Sequence, residues 1–407
     1  MSKAQILFLV VLASLPIQLG KFFFPNYSYV LGIPIDYRAQ TLYFSDLIIT
    51  SYILVSIWGL ATAGQNQKAK FKQFLVKNNY YLYGLGAFVL YLVANSLLAS
   101  ISKQASMYFT LKIIGFGLLS VFAAHDFESK NLNKLIPKVI TASLIWQSVV
   151  VFLQFLSQRS LGLWILGERT FSTTTPDIAH FQIFGYQLLR PYGTFSHPNV
   201  LGAFLTVYLI MLMATKPAKL TSLLAVIATL ISFSKGAVFA LFSAFINTSG
   251  NLRQLATRAA ILILSTLVFF KLISTSQVAS LAERLTLIQA AFSLALKNPL
   301  FGIGSNNFII ELAKLDLTSI SQIRLLQPVH NVFLLILVEN GLIGLLLFST
   351  MLFAVAQKAH TKGKTALFIS VLIFASIDHF LWTLQQGLFM FWLSLAFVIS
   401  SPKQSSS

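Results

Sequence analysis

Long apolar runs recur along the whole chain and alternate with shorter polar segments. Runs suitable for membrane spans begin near residues 4, 41, 80, 107, 135, 199, 219, 236, 258, 331, 365 and 386. A helix of about 20 apolar residues crosses the hydrocarbon core of a bilayer. The pattern therefore predicts an all-α polytopic membrane protein with about 12 transmembrane helices. The first run extends from Ile6 through Phe24, too long for a cleaved signal, and predicts a retained first helix.

Two long segments interrupt this pattern, residues 157–198 and residues 275–330. Both are too polar to span a membrane and too long to be simple turns. Within the second segment, the apolar residues of 281–298 recur three and four positions apart, which predicts an amphipathic helix lying in the interface. We therefore expect residues 1–407 to form a single integral membrane domain, with two long segments on one face that carry short interfacial helices.

The distribution of basic residues predicts the orientation of these spans. If the N-terminus is cytoplasmic, the inside segments carry 16 Lys and Arg residues, whereas the short outside connections carry only Lys21, Arg38, Lys103 and Lys235. The inside residues are Lys3, Lys68, Lys70, Lys72, Lys77, Lys130, Lys134, Lys138, Lys216, Lys219, Arg253, Arg258, Lys358, Lys362, Lys364 and Lys403. By the positive-inside rule, both termini are expected in the cytoplasm and both long segments outside the cytoplasmic (inner) membrane.

Composition excludes two other classes of protein. With 56% hydrophobic and 10% charged residues, the chain lacks the polar surface of a soluble domain. The net charge of +18 would suggest nucleic acid in a soluble protein, but the positive-inside bias explains most of it. The lipid bilayer is thus the expected partner and nucleic acid is not. The absence of cysteine excludes disulfides and thiolate-bound metals.

Three polar motifs stand at the mouths of predicted spans on the outer side. The first runs from Leu189 to Asn199 (LRPYGTFSHPN), the second from Asn298 to Phe308 (NPLFGIGSNNF), and the third from Pro328 to Phe333 (PVHNVF). Arg284 precedes the second motif by about four helical turns. An arginine at a membrane mouth can simply snorkel to headgroups. Its planar fork also matches phosphate oxygens, and a histidine can accept a proton from a hydroxyl.

The order of these motifs resembles the O-antigen ligase/polymerase superfamily. The resemblance covers residues 190 to 345, including the sequence ENGLIG from Glu339 to Gly344. It implies a glycosyltransferase that moves a glycan from a polyprenyl pyrophosphate carrier to an acceptor hydroxyl on the outer membrane face. The acceptor would be a glycolipid, a glycan or a protein. A polysaccharide repeat-unit polymerase of the same superfamily remains an alternative to a ligase.

The resemblance also implies roles for individual residues. Arg190 and Arg284 would hold the pyrophosphate, and His330 would activate the acceptor hydroxyl as the catalytic base. The neighbouring motif residues His197, Asn199 and Asn331 are expected to contribute to substrate binding.

Three further features of the sequence leave open questions. Superfamily members often have a Ser-Arg pair where this chain has Ser234-Lys235, and we interpret Lys235 mainly as an interface anchor. Asp378 and His379 lie late in the span from about 365 to 383, where an ionisable pair is either part of the substrate site or a structural pin between helices. Glu339, nine residues after His330, is interpreted as a structural polar residue.

Chemistry favours a reaction without metal or cofactor. Pyrophosphate is a good leaving group once cations neutralise its charge, so the transfer needs no metal. A single displacement by the acceptor hydroxyl would invert the configuration at the anomeric carbon. The chain has no Asp-x-Asp pair, and its six histidines show no close metal-ligand spacing. A transporter or flippase for a lipid-linked glycan is an alternative of another class. A sugar transferase using Asp36 as its base is a third, although a lone loop acid is usually a turn residue.

Overall fold

Helices dominate the computed structural model, which describes residues 1–183, 185–215, 219–248, 278–315 and 325–400. Among these residues, five helical segments are long and apolar enough to cross a membrane, and five further helices are apolar but shorter. The predicted class of helical membrane protein is confirmed. The number of twelve spans stays a prediction, and the run beginning near residue 258 lies outside the described residues.

The described helices fall into a long N-terminal series and a shorter C-terminal series. The first series is α1 (Lys3–Ser14), α2 (Phe44–Ala61), α3 (Gln65–Lys77), α4 (Asn79–Leu98), α5 (Lys103–Phe127), α6 (Leu135–Ser157), α7 (Pro198–Met213), α8 (Lys219–Ile231) and α9 (Lys235–Asn247). The second is α10 (Val278–Lys297), α11 (Phe308–Leu312), α12 (Val332–Ala356), α13 (Lys362–Ile377), α14 (Phe380–Thr383) and α15 (Gln385–Ile399). Helix α10 covers the sequence predicted as the amphipathic helix.

Short antiparallel hairpins occupy two of the polar segments. Strand β1 (Gly20–Phe23) pairs with β4 (Gln40–Tyr43), and between them β2 (Tyr29–Val30) pairs with β3 (Ile33–Pro34). In the segment 157–198, β5 (His180–Ile183) pairs with β6 (Tyr186–Leu189) after a single 3₁₀ turn. The described part of this segment thus carries a hairpin where short interfacial α-helices were expected.

Two predicted helices are shorter than the apolar runs that suggested them. The prediction of one helix from Ile6 through Phe24 is wrong, because α1 ends at Ser14 and the chain enters β1 after Pro16. Proline disfavours a helical residue before it and cannot donate a helical hydrogen bond. The run from 365 to 383 also breaks, since α13 ends at Ile377 and Asp378 adopts an extended conformation.

The two most deeply buried helices are α7 and α15. Every residue of α15 and all but two residues of α7 are buried. Helix α15 packs against α5 and α13, while α7 packs against α8, α9 and α13. An all-round apolar helix is expected to be surrounded by other elements. Both helices begin close to the same group of polar side chains, which the next subsection describes.

A second polar arrangement fastens the motif 298–308 to a break in α12. Gly341 has a φ of +67° and a ψ of −173°, a conformation that essentially only glycine adopts. Around this break, the N–H groups of Ile303 and Gly304 bond to the carbonyls of Val338 and Glu339 at 3.1 and 2.7 Å. The N–H of Leu342 bonds in return to the carbonyl of Pro299 at 2.8 Å. We call residues 298–308 together with 338–344 the interlock.

Candidate active site

The first motif places Arg190 and Asn199 at the start of α7. His197 is the N-cap of this helix, and its Nδ1 accepts a hydrogen bond from the N–H of Asn199 at 3.1 Å. Arg190 donates through Nη2 to Oδ1 of Asn199 at 2.9 Å and through Nε to the carbonyl of Ser232 at 3.0 Å. Because Asn199 and Ser232 each bond the guanidinium, its orientation is fixed, and its Nη1 makes no hydrogen bond within the described part of the chain.

Asp378 joins this motif to the break between α13 and α14. Its Oδ2 accepts a hydrogen bond from Nδ2 of Asn199 at 3.0 Å, and its Oδ1 accepts one from the N–H of His379 at 2.8 Å. The side chain is buried, with 8% exposure. A carboxylate with two donors is well matched to a buried position. Arg190, Asn199 and Asp378 therefore form one continuous hydrogen-bonded chain across residues far apart in sequence.

Thr383 fixes the ring of His379. Nδ1 of His379 lies 2.6 Å from Oγ1 of Thr383, and that hydroxyl also lies 3.2 Å from the backbone carbonyl of His379. Tyr37 packs edge-on against the same ring, with the ring centroids 5.4 Å apart.

His330 lies next to His379, just before α12. The ring centroids of the two histidines are 5.0 Å apart. Nδ1 of His330 is buried and has no hydrogen-bond partner among the described residues. Burial, and then the neighbouring His379, lower the pKa of His330 to about 3, so the ring is neutral at physiological pH. A neutral imidazole with an unused nitrogen is suited to accept a proton.

Asn331 occupies a supporting position beside this histidine. Its Oδ1 accepts a hydrogen bond from the N–H of Leu334 at 2.9 Å and so caps α12, and its Nδ2 donates to the carbonyl of Ser376 at 2.9 Å. These contacts tie the start of α12 to the end of α13. Asn331 thereby fixes the position of the neighbouring His330 relative to the end of α13, and a contact of Asn331 with substrate stays a prediction.

Arg284 reaches the same place from α10. Its Nη1 donates to the carbonyl of Ile377 at 3.3 Å, and it interacts electrostatically with Arg190, His330, Asp378 and His379. Lys235, at the start of α9, interacts electrostatically with both arginines. Its charge therefore acts on the group that the two arginines form, while the interpretation of Lys235 as mainly an interface anchor stays a prediction.

These residues together form what we call the polar cluster. Its members are Arg190, His197, Asn199, Lys235, Arg284, His330, Asn331, Asp378, His379 and Thr383. All eight site residues predicted from sequence belong to it. In it, three permanent cations meet the single carboxylate of Asp378. Burial lowers the pKa of Arg190 only to about 10, so that cation stays charged at neutral pH. The excess positive charge suits a polyanion.

The cluster contains one set of side chains that could hold a metal. One ligand atom each from His330, Asp378 and His379 lie within 4.8 Å of one another. Sequence spacing gave no sign of this set, because the residues belong to different helix ends. Two observations weigh against a metal ion: both oxygens of Asp378 already accept hydrogen bonds, and Arg284 repels a further cation. Metal independence stays a prediction.

Sequence reasoning missed two residues that position the cluster. Thr383 fixes the ring of His379, and Tyr37, from the hairpin between β1 and β4, packs on that ring. Both are ordinary residues of an apolar or loop segment, and only the tertiary fold brings them to the histidine. By contrast, Asp36 has no place in the cluster, and burial raises the pKa of its carboxyl.

The interlock lies beside the polar cluster and is held mainly by its own backbone hydrogen bonds. Glu339 accepts a hydrogen bond from the N–H of Phe308 at 3.2 Å, and the backbone of Asn306 and Asn307 lies close to its carboxylate. Arg38 is fully buried and donates to the carbonyls of Tyr27 and Asn306. These contacts are those of structural residues, as the sequence suggested for Glu339.

Comparison with known proteins identifies one family that part of the chain matches. No curated protein matches the chain. Residues 191–349, less than half of the chain, match a family described as O-Antigen ligase. The matched range includes Arg284, His330 and the whole interlock, while Arg190 immediately precedes it and Asp378 follows it. The match confirms the resemblance to the O-antigen ligase/polymerase superfamily that the three motifs indicated.

Proposed function

We propose that this protein is an O-antigen ligase-like glycosyltransferase. It transfers a glycan from a polyprenyl pyrophosphate carrier to an acceptor hydroxyl on the outer face of the cytoplasmic membrane, with both termini in the cytoplasm. The family match supports a ligase or polymerase type of function. The observation that carries the proposal is the convergence of Arg190, Arg284 and His330, from three separate segments, on Asp378 and His379.

The donor pyrophosphate occupies the positive side of the polar cluster. Arg190 and Arg284 supply planar donors that bind phosphate oxygens in pairs, and Lys235 adds a third positive charge. As the bond between the anomeric carbon and the phosphate oxygen breaks, the electron pair stays on the pyrophosphate. The cations are already in place to stabilise the charge that develops there.

His330 acts on the acceptor. The hydroxyl oxygen attacks the anomeric carbon opposite the leaving pyrophosphate, so the configuration inverts, and its proton passes to the unpartnered nitrogen of His330. The carboxylate of Asp378 lies close to His330 and stabilises the imidazolium that forms. Asn199 and His197 hold Arg190 and Asp378 in register, and Asn331 holds His330.

Product analysis tests this proposal and separates its variants. Purified protein would be incubated with a polyprenyl-pyrophosphate glycan and, in parallel, with lipid A-core, a protein hydroxyl or a second lipid-linked repeat as the acceptor. Transfer to lipid A-core or to protein indicates a ligase, and chain extension on a second repeat indicates a polymerase. Recovery of unchanged donor with every acceptor contradicts the proposal and leaves a flippase as the alternative.

The same assay tests whether glycan transfer requires a divalent metal ion. Because the cations of the polar cluster neutralise the leaving group, we expect the transfer rate to be unchanged after incubation with EDTA and after removal of the chelated ions. A rate that falls with EDTA and returns with one divalent metal would instead assign a metal to His330, Asp378 and His379.

A further inference from the structure

Helix α3 carries an unusual density of positive charge. Its 13 residues, Gln65–Lys77, include four lysines and no acidic residue. Lys68, Lys70, Lys72 and Lys77 are all exposed. Among the described residues, no carboxylate lies within ion-pair distance of Lys68, Lys70 or Lys72. The helix joins α2 to α4, two of the helices long and apolar enough to span a membrane, and this connection places it at the membrane surface.

The lysines of α3 flank its apolar side. At about 100° per residue, Phe71, Phe74 and Leu75 share one face of the helix. This face packs on α5, where the ring of Phe71 lies 5.9 Å from that of Phe122 and the rings of Phe71 and Phe74 lie 5.2 and 5.5 Å from that of His125.

Lys68 and Lys72 border one edge of the same face, and Lys70 and Lys77 border the other. The packing against α5 therefore fixes which way the four ammonium groups point. Both edges of the helix present charge along the membrane surface, a geometry in which lysines extend to headgroups.

The fold adds a fifth lysine that is far away in sequence. Nζ of Lys358, just after α12, donates to the carbonyl of Lys77 at 2.8 Å. Burial, and then the charge of Lys77, lower the pKa of Lys358, whereas Glu128 raises it. The contact between Lys358 and Lys77 thus adds a positive charge at the end of α3, beside the exposed Lys68, Lys70 and Lys72. This concentration of lysines favours the binding of an anion.

We propose that α3 and Lys358 form a binding surface for the phosphate headgroups of anionic phospholipids. Basic clusters on amphipathic helices at the membrane surface attract such lipids, by about 1 kcal/mol for each lysine. Lysine is a compact point charge without a fixed fork, so it suits mobile lipid phosphates rather than one rigid pyrophosphate. The surface shares no residue with the polar cluster, so it does not depend on the proposed function.

A binding assay with lipids tests the proposal. The full-length protein, in neutral detergent at low salt, would be titrated with fluorescent-tailed phosphatidylglycerol and, separately, with phosphatidylcholine bearing the same tail. We expect preferential binding of phosphatidylglycerol. The combined variant Lys68→Gln, Lys70→Gln, Lys72→Gln should weaken that binding by about two orders of magnitude. The corresponding Lys→Arg variant should retain it, because the charge is kept.

A matched control variant distinguishes the loss of this lipid-binding surface from a general loss of positive charge. The variant Lys130→Gln, Lys134→Gln, Lys138→Gln removes the same charge from three exposed lysines on the side of the membrane predicted for α3, and should bind phosphatidylglycerol like the unmodified protein. Equal weakening in both triple variants, or equal binding of phosphatidylcholine, overturns the proposal. Complete competition by inorganic phosphate at an equal concentration would assign the surface to a free phosphate instead of a lipid.

Discussion

The polar cluster and the interlock lie side by side, yet different groups hold them together. In the interlock, backbone groups around Gly341 bond to one another and the N–H of Phe308 bonds to Glu339, while Oδ1 of Asn307 and Nδ2 of Asn340 are buried without a partner among the described residues. In the polar cluster, a buried nitrogen of His330 has no partner among the described residues, and three cations face one carboxylate. A motif residue can thus serve either the fold or a ligand.

The two regions also share a boundary. A small cavity between them is lined by Tyr37 and Thr383 on the side of the cluster and by Glu339 and Asn306 on the side of the interlock. The interlock therefore forms part of the wall behind the histidines. A change in either region can be assigned by asking whether it alters turnover, folding stability, or both.

The largest effect is expected from His330. General-base assistance is typically worth about 10²–10⁴-fold, so His330→Ala and His330→Gln should each lose roughly that much of kcat. Donor affinity and the thermal unfolding midpoint should be unchanged, because the arginines and the interlock are untouched. His360→Gln, at an exposed histidine outside the cluster, serves as the control. A near-normal rate for His330→Gln would leave the enzyme without its base.

The second-largest effect on activity is expected from substitution of Arg190 or Arg284. Arg190→Lys or Arg284→Lys keeps the charge but removes the fork, and each should lower kcat/KM by about ten- to a hundredfold, the value of one charge-assisted hydrogen bond. Lys235→Ala should cost less, since an exposed lysine offers no paired donors. The measurement is steady-state transfer, with Arg159→Lys as the control outside the cluster. Full activity in both lysine variants would remove these arginines from the donor site.

A substitution in the interlock is expected to lower the stability of the fold. Gly341→Ala would place a Cβ against the carbonyl of Leu300 at a positive φ, at a cost of about 1–3 kcal/mol. The thermal unfolding midpoint in detergent should fall. Gly115→Ala, in α5, adds the same methyl group into open space and should not lower it. If Gly341→Ala unfolds like the unmodified protein, the break in α12 is not the strained element that the comparison requires.

The smallest expected effect is a difference between the pH dependence of kcat and that of kcat/KM, which tests whether the donor lies next to His330. Only neutral His330 can accept a proton, and in the empty site its pKa is lowered to about 3, so kcat/KM should stay level from neutral pH into moderately acidic pH. Bound pyrophosphate adds negative charge, which raises this pKa in the donor complex. The acid limb of kcat should therefore lie at higher pH than that of kcat/KM. Coinciding limbs would mean that the donor does not face His330.

The sequence predicted the membrane class and most helix positions, because about 20 consecutive apolar residues leave few alternatives. The motifs and the family resemblance also singled out residues that the fold then brings together, although their roles in a reaction stay predictions. It could not predict the ends of α1 and α13, where Pro16 and Asp378 override the apolar pattern. Nor could it predict Thr383 or Tyr37, whose roles depend on contacts across the fold.

Both α7 and α12 begin inside the polar cluster, with His197 and Asn331 as their N-caps. The aligned peptide dipoles of a helix place the equivalent of about half a positive charge at its N-terminus, strongest within the first turn. These two helix ends add to the positive field of Arg190, Arg284 and Lys235. Part of the positive field in the polar cluster is therefore built into the backbone, and side-chain substitutions leave that part in place while α7 and α12 keep their starting points.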